Sequence, residues 1–141
     1  MDIDNEVLVS GSGDNKIQVW KMTSSSQLFE GAHEDVVECV KVVDNLVLSC
    51  ADKTLRIWNL RGGNLLQKLH LPQWCRNFDL NSEKTVLAIA HDEGVSIWDY
   101  SKRNKIMEIE LHQVNDVRFN EAGTKLIVGQ FNGQVSRIDL Y

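Results

Sequence analysis

The sequence predicts an all-β chain made of a repeated four-stranded antiparallel unit, and three observations carry that expectation. Asp14, Asp52, Asp92 and Asn132 recur at intervals of 38, 40 and 40 residues along the 141-residue chain. Each is followed six positions later by a large apolar residue, in turn Trp20, Trp58, Trp98 and Ile138. Around these anchors apolar and polar residues alternate with the period of two that marks a sheet with differently occupied faces, and no long amphipathic helix is visible. A repeat of about 40 residues is the length of one four-stranded propeller blade.

Taken in order, each unit yields its strands. The hairpins begin on runs such as Val7-Leu8-Val9, pass through a tight polar turn, and return on a second strand that ends in the bulky anchor. In that second strand Ile17, Val19, Leu55, Ile57, Val95, Ile97 and Val135 occupy alternate positions. Asn132-Gly133 is a two-residue hairpin signal, because both residues tolerate positive φ. Outer strands are marked by Leu28-Phe29, by Leu65-Leu66 with Leu69, and by Ile106 with Ile109. Inner strands are marked by Val37-Val40-Val42, Cys75-Phe78-Leu80 and Val114-Val117-Phe119.

Composition fits an intracellular globular chain. Hydrophobic residues make up 43%, enough for a core, and no run is long enough for a membrane span. The start is acidic where an export signal is basic. Cys39, Cys50 and Cys75 show neither metal-ligand spacing nor an even-numbered disulfide framework, and read as buried thiols of a reducing compartment. His70, His91 and His112 are scattered one per segment, so no metal and no cofactor is expected. The net charge of −5 is carried by the N-terminal part, with 5 basic and 10 acidic residues through Leu60 and 10 of each beyond it. Duplex binding calls for a basic stripe. Here the basic residues are the linker cluster Lys102-Arg103-Asn104-Lys105 and the dispersed Arg56, Arg61 and Arg76, which leave nucleic-acid binding unsupported.

With these residues in view, the chain resembles the WD40 repeat family over almost its whole length. Trp-Asp itself stands at Trp98-Asp99, with Trp58-Asn59, Trp20-Lys21 and Ile138-Asp139 as drifts of that dipeptide, and Gly31-Ala32-His33 is similar to the Gly-His element that opens a repeat. The resemblance implies a buried scaffold network in which a His, a Ser or Thr, the hairpin Asp and the Trp share hydrogen bonds. His33, Asp52 and Trp58 match it in the second repeat, Ser10, Asp14 and Trp20 in the first, and Asp92 and Trp98 in the third. At the offsets expected for the second repeat's hydroxyl stand Leu48 and Cys50, with Ser49 one position off and expected on the other face. Leu71 and Glu110 occupy the His position of the last two repeats, where the network cannot close. A buried carboxylate needs such partners, so blade scaffolding explains His33 and Asp52 without catalysis.

The resemblance also orders the strands. The chain reads as one WD40-repeat region over residues 1–141, with a partial repeat at 1–26 and repeats at about 27–64, 65–103 and 104–141. The first blade is then expected to lack its inner strand and the last its outer strand. Closed propellers have four to eight blades and so bury their edges. Such a set reads as a partial propeller: part of a longer one, or a unit that shares strands with another copy or another chain.

Partner contact is implied at the end of the blades where the hairpin turns lie. Carried onto this sequence, those positions are Gly13, Ala51, His91 and Phe131 before the turns, and Glu34, Val36, Trp74 and Gln113 where inner strands start. Trp74, His91 and Phe131 form the expected apolar recognition spot, with Glu34 at its acidic rim. The leading function is a non-catalytic scaffold that binds other proteins or peptides within a complex. A narrower alternative is the substrate-recognition part of a ubiquitin-ligase complex of the F-box WD kind: the tight connection Val42-Val43-Asp44-Asn45-Leu46 resembles those of F-box WD proteins, whereas the longer Asn81-Ser82-Glu83-Lys84 and Asn120-Glu121-Ala122-Gly123 do not. A propeller enzyme needs convergent acids or a metal cluster, and Asp79, Glu83 and Asp116 are already explained as turn or strand residues.

Overall fold

The computed structural model describes residues 2–4, 6–24, 26–51 and 53–140, with only the backbone of Ile3 and Asp4. Every regular element among the described residues is a β-strand, and the chain divides into two compact units, residues 1–74 and 75–141.

Two antiparallel sheets make up the first unit. Strands β1 (Asp2–Asp4), β2 (Val7–Gly11), β3 (Lys16–Lys21) and β4 (Ser26–Ala32) pair in sequence order. Strands β5 (Val37–Val43), β6 (Leu46–Ala51), β7 (Thr54–Asn59) and β8 (Leu65–His70) form the second sheet in the same manner. The presence of β1 corrects the expectation that the first blade lacks its inner strand. Asp-Ile-Asp offers no apolar run to read in sequence, yet it pairs with β2 at Asp2↔Val9, Ile3↔Leu8 and Asp4↔Val7. Asp2 Oδ2 also accepts the backbone N–H of Val42 at 2.7 Å, tying this short strand to β5. Between the two sheets lie Val7, Val9, Ile17 and Val19 on one side and Val37, Val40, Val42, Val47, Ala51 and Trp58 on the other, all buried. Each such Val or Ile contributes about 1.5–3 kcal/mol of burial. Gly31 lets the Trp58 ring lie against β4, since a Cβ there would stand 2.9 Å from Cη2 of the indole.

The second unit repeats the plan. Strands β9 (Cys75–Leu80), β10 (Val86–His91), β11 (Gly94–Asp99) and β12 (Asn104–Glu110) form a four-stranded sheet. Strands β13 (Val114–Phe119), β14 (Lys125–Gln130) and β15 (Val135–Asp139) form a three-stranded one, matching the expected absence of an outer strand among the described residues. Ala88, Ala90, Val95 and Ile97 pack against Val114, Val117, Leu126 and Val128. Asp79 Oδ2 accepts the Phe119 N–H at 2.8 Å, the counterpart of the Asp2 tie in the first unit.

Local chemistry sets the turns. Asn81 Oδ1 accepts the N–H groups of Thr85 and Val86, and Asn120 Oδ1 those of Thr124 and Lys125, so one residue type shapes both connections between first and second strands. The Lys102 N–H and then the Ser101 hydroxyl donate to the Asp99 carboxylate and hold its pKa below the ordinary value. At Asn59 the same job is done without charge, through the Arg61 N–H at 3.0 Å. The Asn132-Gly133 hairpin differs from its two-residue expectation. Its loop spans four residues, Phe131 to Gln134, and Gln130 N–H bonds to the Gln134 carbonyl across it. In each four-stranded sheet the third strand carries a bulge just before its Trp, at Val19/Trp20, Ile57/Trp58 and Ile97/Trp98.

Gly94 opens β11 at φ +151°, and a Cβ there would overlap the carbonyl oxygen of Ile109 in the paired strand. Gly94→Ala is expected to destabilise the chain by on the order of 2–3 kcal/mol, through strain and a lost ladder bond. Urea unfolding followed by circular dichroism measures it, and a change below about 0.5 kcal/mol, the size of an ordinary surface substitution, contradicts this account.

Candidate functional site

The hydrogen-bond network of the second sheet is centred on Ser49. Its Oγ lies 2.6 Å from His33 Nε2 and 2.9 Å from Trp58 Nε1, and all three residues are buried. An indole can only donate, so Ser49 accepts there and its own O–H is left for the imidazole. This corrects the expectation that Ser49 faces away. Val47 pairs with Trp58 across the β6–β7 hairpin, so Ser49, two residues on, shares the face of the indole, while Leu48 and Cys50 point oppositely. In the first sheet Leu8 pairs with Trp20, a separation one residue longer than that of Val47 and Trp58. That extra turn residue misplaces the offset when it is transferred to the second repeat. Asp52 lies outside the described residues.

The other scaffold residues behave differently. Asp14 shapes its turn by accepting the Lys16 N–H at 3.1 Å, and Ser12 Oγ accepts the Asp14 N–H. Ser10 and Trp20 are half-buried on one face of the first sheet. Asp92 pairs with Arg76 at 3.0 Å rather than with a histidine. Ile89 holds the place in the third sheet that Ser49 holds in the second, and Trp98 Nε1 is accordingly buried without a hydrogen-bond partner.

Of the four residues expected to meet a partner, the structure brings Glu34 and Trp74 to one cleft of the first unit. This cleft of about 430 Å³ is lined by Glu34, Lys53, Lys68, His70, Leu71 and Trp74, and Trp74 is 39% exposed. Phe131, in the second unit, is 58% exposed, with the Arg76 guanidinium 5.9 Å from its ring centroid. Asp92 holds Arg76 in that position through its carboxylate. His91 is placed otherwise. It is 1% exposed, so the expectation of a solvent-facing contact is corrected. As the last residue of β10 its ring turns inward, where Nε2 meets the Ser96 hydroxyl at 3.1 Å and the Glu108 carboxylate, and Nδ1 accepts the Glu93 N–H.

Ser96, His91 and Glu108 are the residue types of a hydrolytic triad, but their geometry is that of a brace. Ser96 is fully buried, and its hydroxyl donates to Glu108 at 2.8 Å instead of to an imidazole base. A nucleophile needs an exposed oxygen bonded to a base. Ser96 and Glu108 could not be found from sequence, since they meet only through the pairing Ser96↔Glu108 of β11 with β12.

Several basic residues are similarly committed. Arg56 is buried and donates to the Ala32 carbonyl at 2.7 Å. In the linker cluster Lys105 pairs with Glu108 at 3.4 Å, and Arg103 bonds to the Tyr100 carbonyl and lies over the Tyr100 ring. Lys16 and Glu30 pair at 3.0 Å, which raises the lysine pKa and lowers that of the glutamate through their mutual hydrogen bond.

Antiparallel sheets of this order and connection define β-propeller blades, here a partial set. The backbone superposes on the crystal structure of the computationally designed Ika4 protein with a TM-score of 0.87 at 20% identity, covering 99% of this chain and 89% of that one. A chain in the crystal structure of a mitotic checkpoint complex matches at 0.88 and 22% identity, over 98% of this chain and 47% of that one. A family model described as WD domain, G-beta repeat matches residues 1–21 and 24–59. Residues 1–59 thus match WD40 repeats, and the blade fold continues through the rest of the described chain.

Its relatives include apoptotic protease-activating factor 1 of Rattus norvegicus, 26% identical over 94% of this chain. F-box/WD repeat-containing protein 4 of Mus musculus is 39% identical over 49% of it, and cell division control protein 4 of Saccharomyces cerevisiae 30% over 74%. The chain spans 11%, 17% and 14% of those three proteins. Among the described residues no helix is long and apolar enough to cross a membrane.

The two indoles give a paired test. Trp58→Phe removes a bond from a buried Ser49 and is expected to cost about 1–3 kcal/mol beyond any change in packing. Trp98→Phe removes a donor that has no partner, and is expected to be neutral or stabilising within about 0.5 kcal/mol of the packing change. Parallel denaturant titrations decide it, and equal losses at both sites contradict the assignment of Ser49.

Proposed function

We propose that this chain is a non-catalytic protein–protein interaction scaffold that presents polypeptide-binding surfaces at the hairpin-turn end of its blades. The observation that carries this reading is the pair of exposed aromatics on rigid supports. Trp74 stands at the rim of the first unit's cleft, and Phe131 rests on an Arg76 held by Asp92. Aromatic anchors of this kind dominate interface energetics, and supports fixed before binding lower its entropic cost. The buried Ser96 and His91, both tied to Glu108, support a structural role for that cluster. A chain of similar fold stands in the structure of a mitotic checkpoint complex, which is in keeping with this reading. The narrower reading, substrate recognition of the F-box WD kind, is supported by the likeness to F-box/WD repeat-containing protein 4 over half of the chain.

Trp74→Ala and Phe131→Ala each truncate an exposed side chain and are expected to leave far-UV circular dichroism and Tm unchanged. Crosslinking with mass spectrometry, using the purified chain as bait, is expected to show loss of partner capture by about tenfold or more with either variant. Full capture by the doubly substituted, folded chain contradicts the reading.

A further inference from the structure

The cleft beside Trp74 recurs in the next repeat with its charge reversed. In the first unit Thr54 pairs with His70 and Arg56 with Lys68, and the Leu71 N–H bonds to the Lys53 carbonyl. In the second unit Gly94 pairs with Glu110 and Ser96 with Glu108, and the Leu111 N–H bonds to the Glu93 carbonyl. Register alone therefore equates Lys53 with Glu93, Lys68 with Glu108 and His70 with Glu110. Glu93, Glu110, Leu111 and His112 line a cleft of about 400 Å³ at that place. In the first sheet the position of Lys68 is held by Glu30, which Lys16 neutralises.

Background charge does not explain the basic cleft. Residues 1–74 contain 7 basic and 10 acidic side chains, a net of −3, yet the cleft gathers two lysines and a histidine against one glutamate. Lys53, Lys68 and His70 form no ion pair with a described residue, whereas Lys16, Lys102 and Lys105 all do. Leu71 and Trp74 supply an apolar wall to the same cavity.

We infer that this cleft receives an acidic segment of a partner polypeptide, with an Asp or Glu carboxylate between Lys53, Lys68 and His70 and an adjacent apolar side chain on Trp74 and Leu71. The assignment rests on the scaffold reading and adds the chemistry of the segment bound. Glu34 in the same lining disfavours a polyanion such as nucleic acid and suits a single carboxylate followed by uncharged or basic residues. The acidic twin cleft supplies the internal control, because it lies at the equivalent register with the opposite sign.

Fluorescence anisotropy with the full 141-residue chain tests the assignment. The probes are a fluorescein-labelled peptide, Gly-Ser-Glu-Leu-Gly-Ser, its counterpart with Lys in place of Glu, and one with phosphoserine in place of Glu. The Glu peptide is expected to bind about tenfold more tightly than the Lys peptide, with the difference reduced by salt. Lys53→Glu combined with Lys68→Glu, the first exposed and the second half-buried, is expected to abolish the preference, Trp74→Ala to weaken binding, and Glu93→Lys to leave it unchanged. Equal affinity for the Glu and Lys peptides, no binding of either, or a preference that survives the double reversal overturns the assignment. Preference for the phosphoserine peptide over the Glu peptide overturns the carboxylate as the ligand. If the peptides fail while Trp74→Ala still abolishes partner capture, the scaffold reading stands and only the acidic segment is lost.

Discussion

The pairing of Val47 with Trp58 across one hairpin decides which side chains of the second sheet face the first. Because successive residues alternate between faces, that single register places Ser49 with His33 and Trp58 and sends Leu48 and Cys50 the other way. A slip of one residue exchanges the two sets, takes Val47 and Ala51 out of this packing and turns Ser49 away from His33 and Trp58. The burial of Val7, Val9, Ile17 and Val19 against this face makes such a slip costly, so packing and register enforce each other. The His33–Ser49–Trp58 bonds then satisfy polar groups that the packing has removed from water.

The same register builds the cleft. Thr54 opens β7 opposite His70, which brings the turn residue Lys53 and the outer-strand residue Lys68 to one end of the sheet. The scaffold repeats, but the charges at these positions do not. Lys53, Lys68 and His70 in one blade become Glu93, Glu108 and Glu110 in the next, and none of them contributes to the apolar core. A repeated fold thus leaves its turn ends free to differ, and this is where a scaffold of near-identical units acquires distinct surfaces. His91 illustrates the limit of that freedom. Although it precedes a turn, its ring is taken up by Ser96 and Glu108 and is lost to recognition.

Much of the fold was legible before any coordinates. The spacing of Asp14, Asp52, Asp92 and Asn132, and of the bulky residues after them, gives the repeat, because each unit needs the same turn and the same large anchor at the same distance. Outer strands around Leu28, Leu65 and Ile106 and inner strands around Val37, Cys75 and Val114 also stand where their apolar residues indicate. The strand Asp2–Asp4 escaped because its pairing is backbone to backbone and its side chains carry no pattern. The candidate site was legible in part. Trp74, Glu34 and Phe131 stand out as residues of turns and strand starts, whereas Lys53, Lys68 and Arg76 acquire meaning only from what lies beside them.

By itself the sequence determined the all-β class, the period, the order of the strands and the identity of the large anchors, since these follow from composition and spacing along one chain. Tertiary structure alone decided the facing of Ser49, the burial of His91, the pairing of Arg76 with Asp92 and the gathering of Lys53, Lys68, His70 and Trp74 around one cavity. Each of these depends on which residues stand opposite across a sheet, and one residue more or less in a turn changes that without altering the repeat.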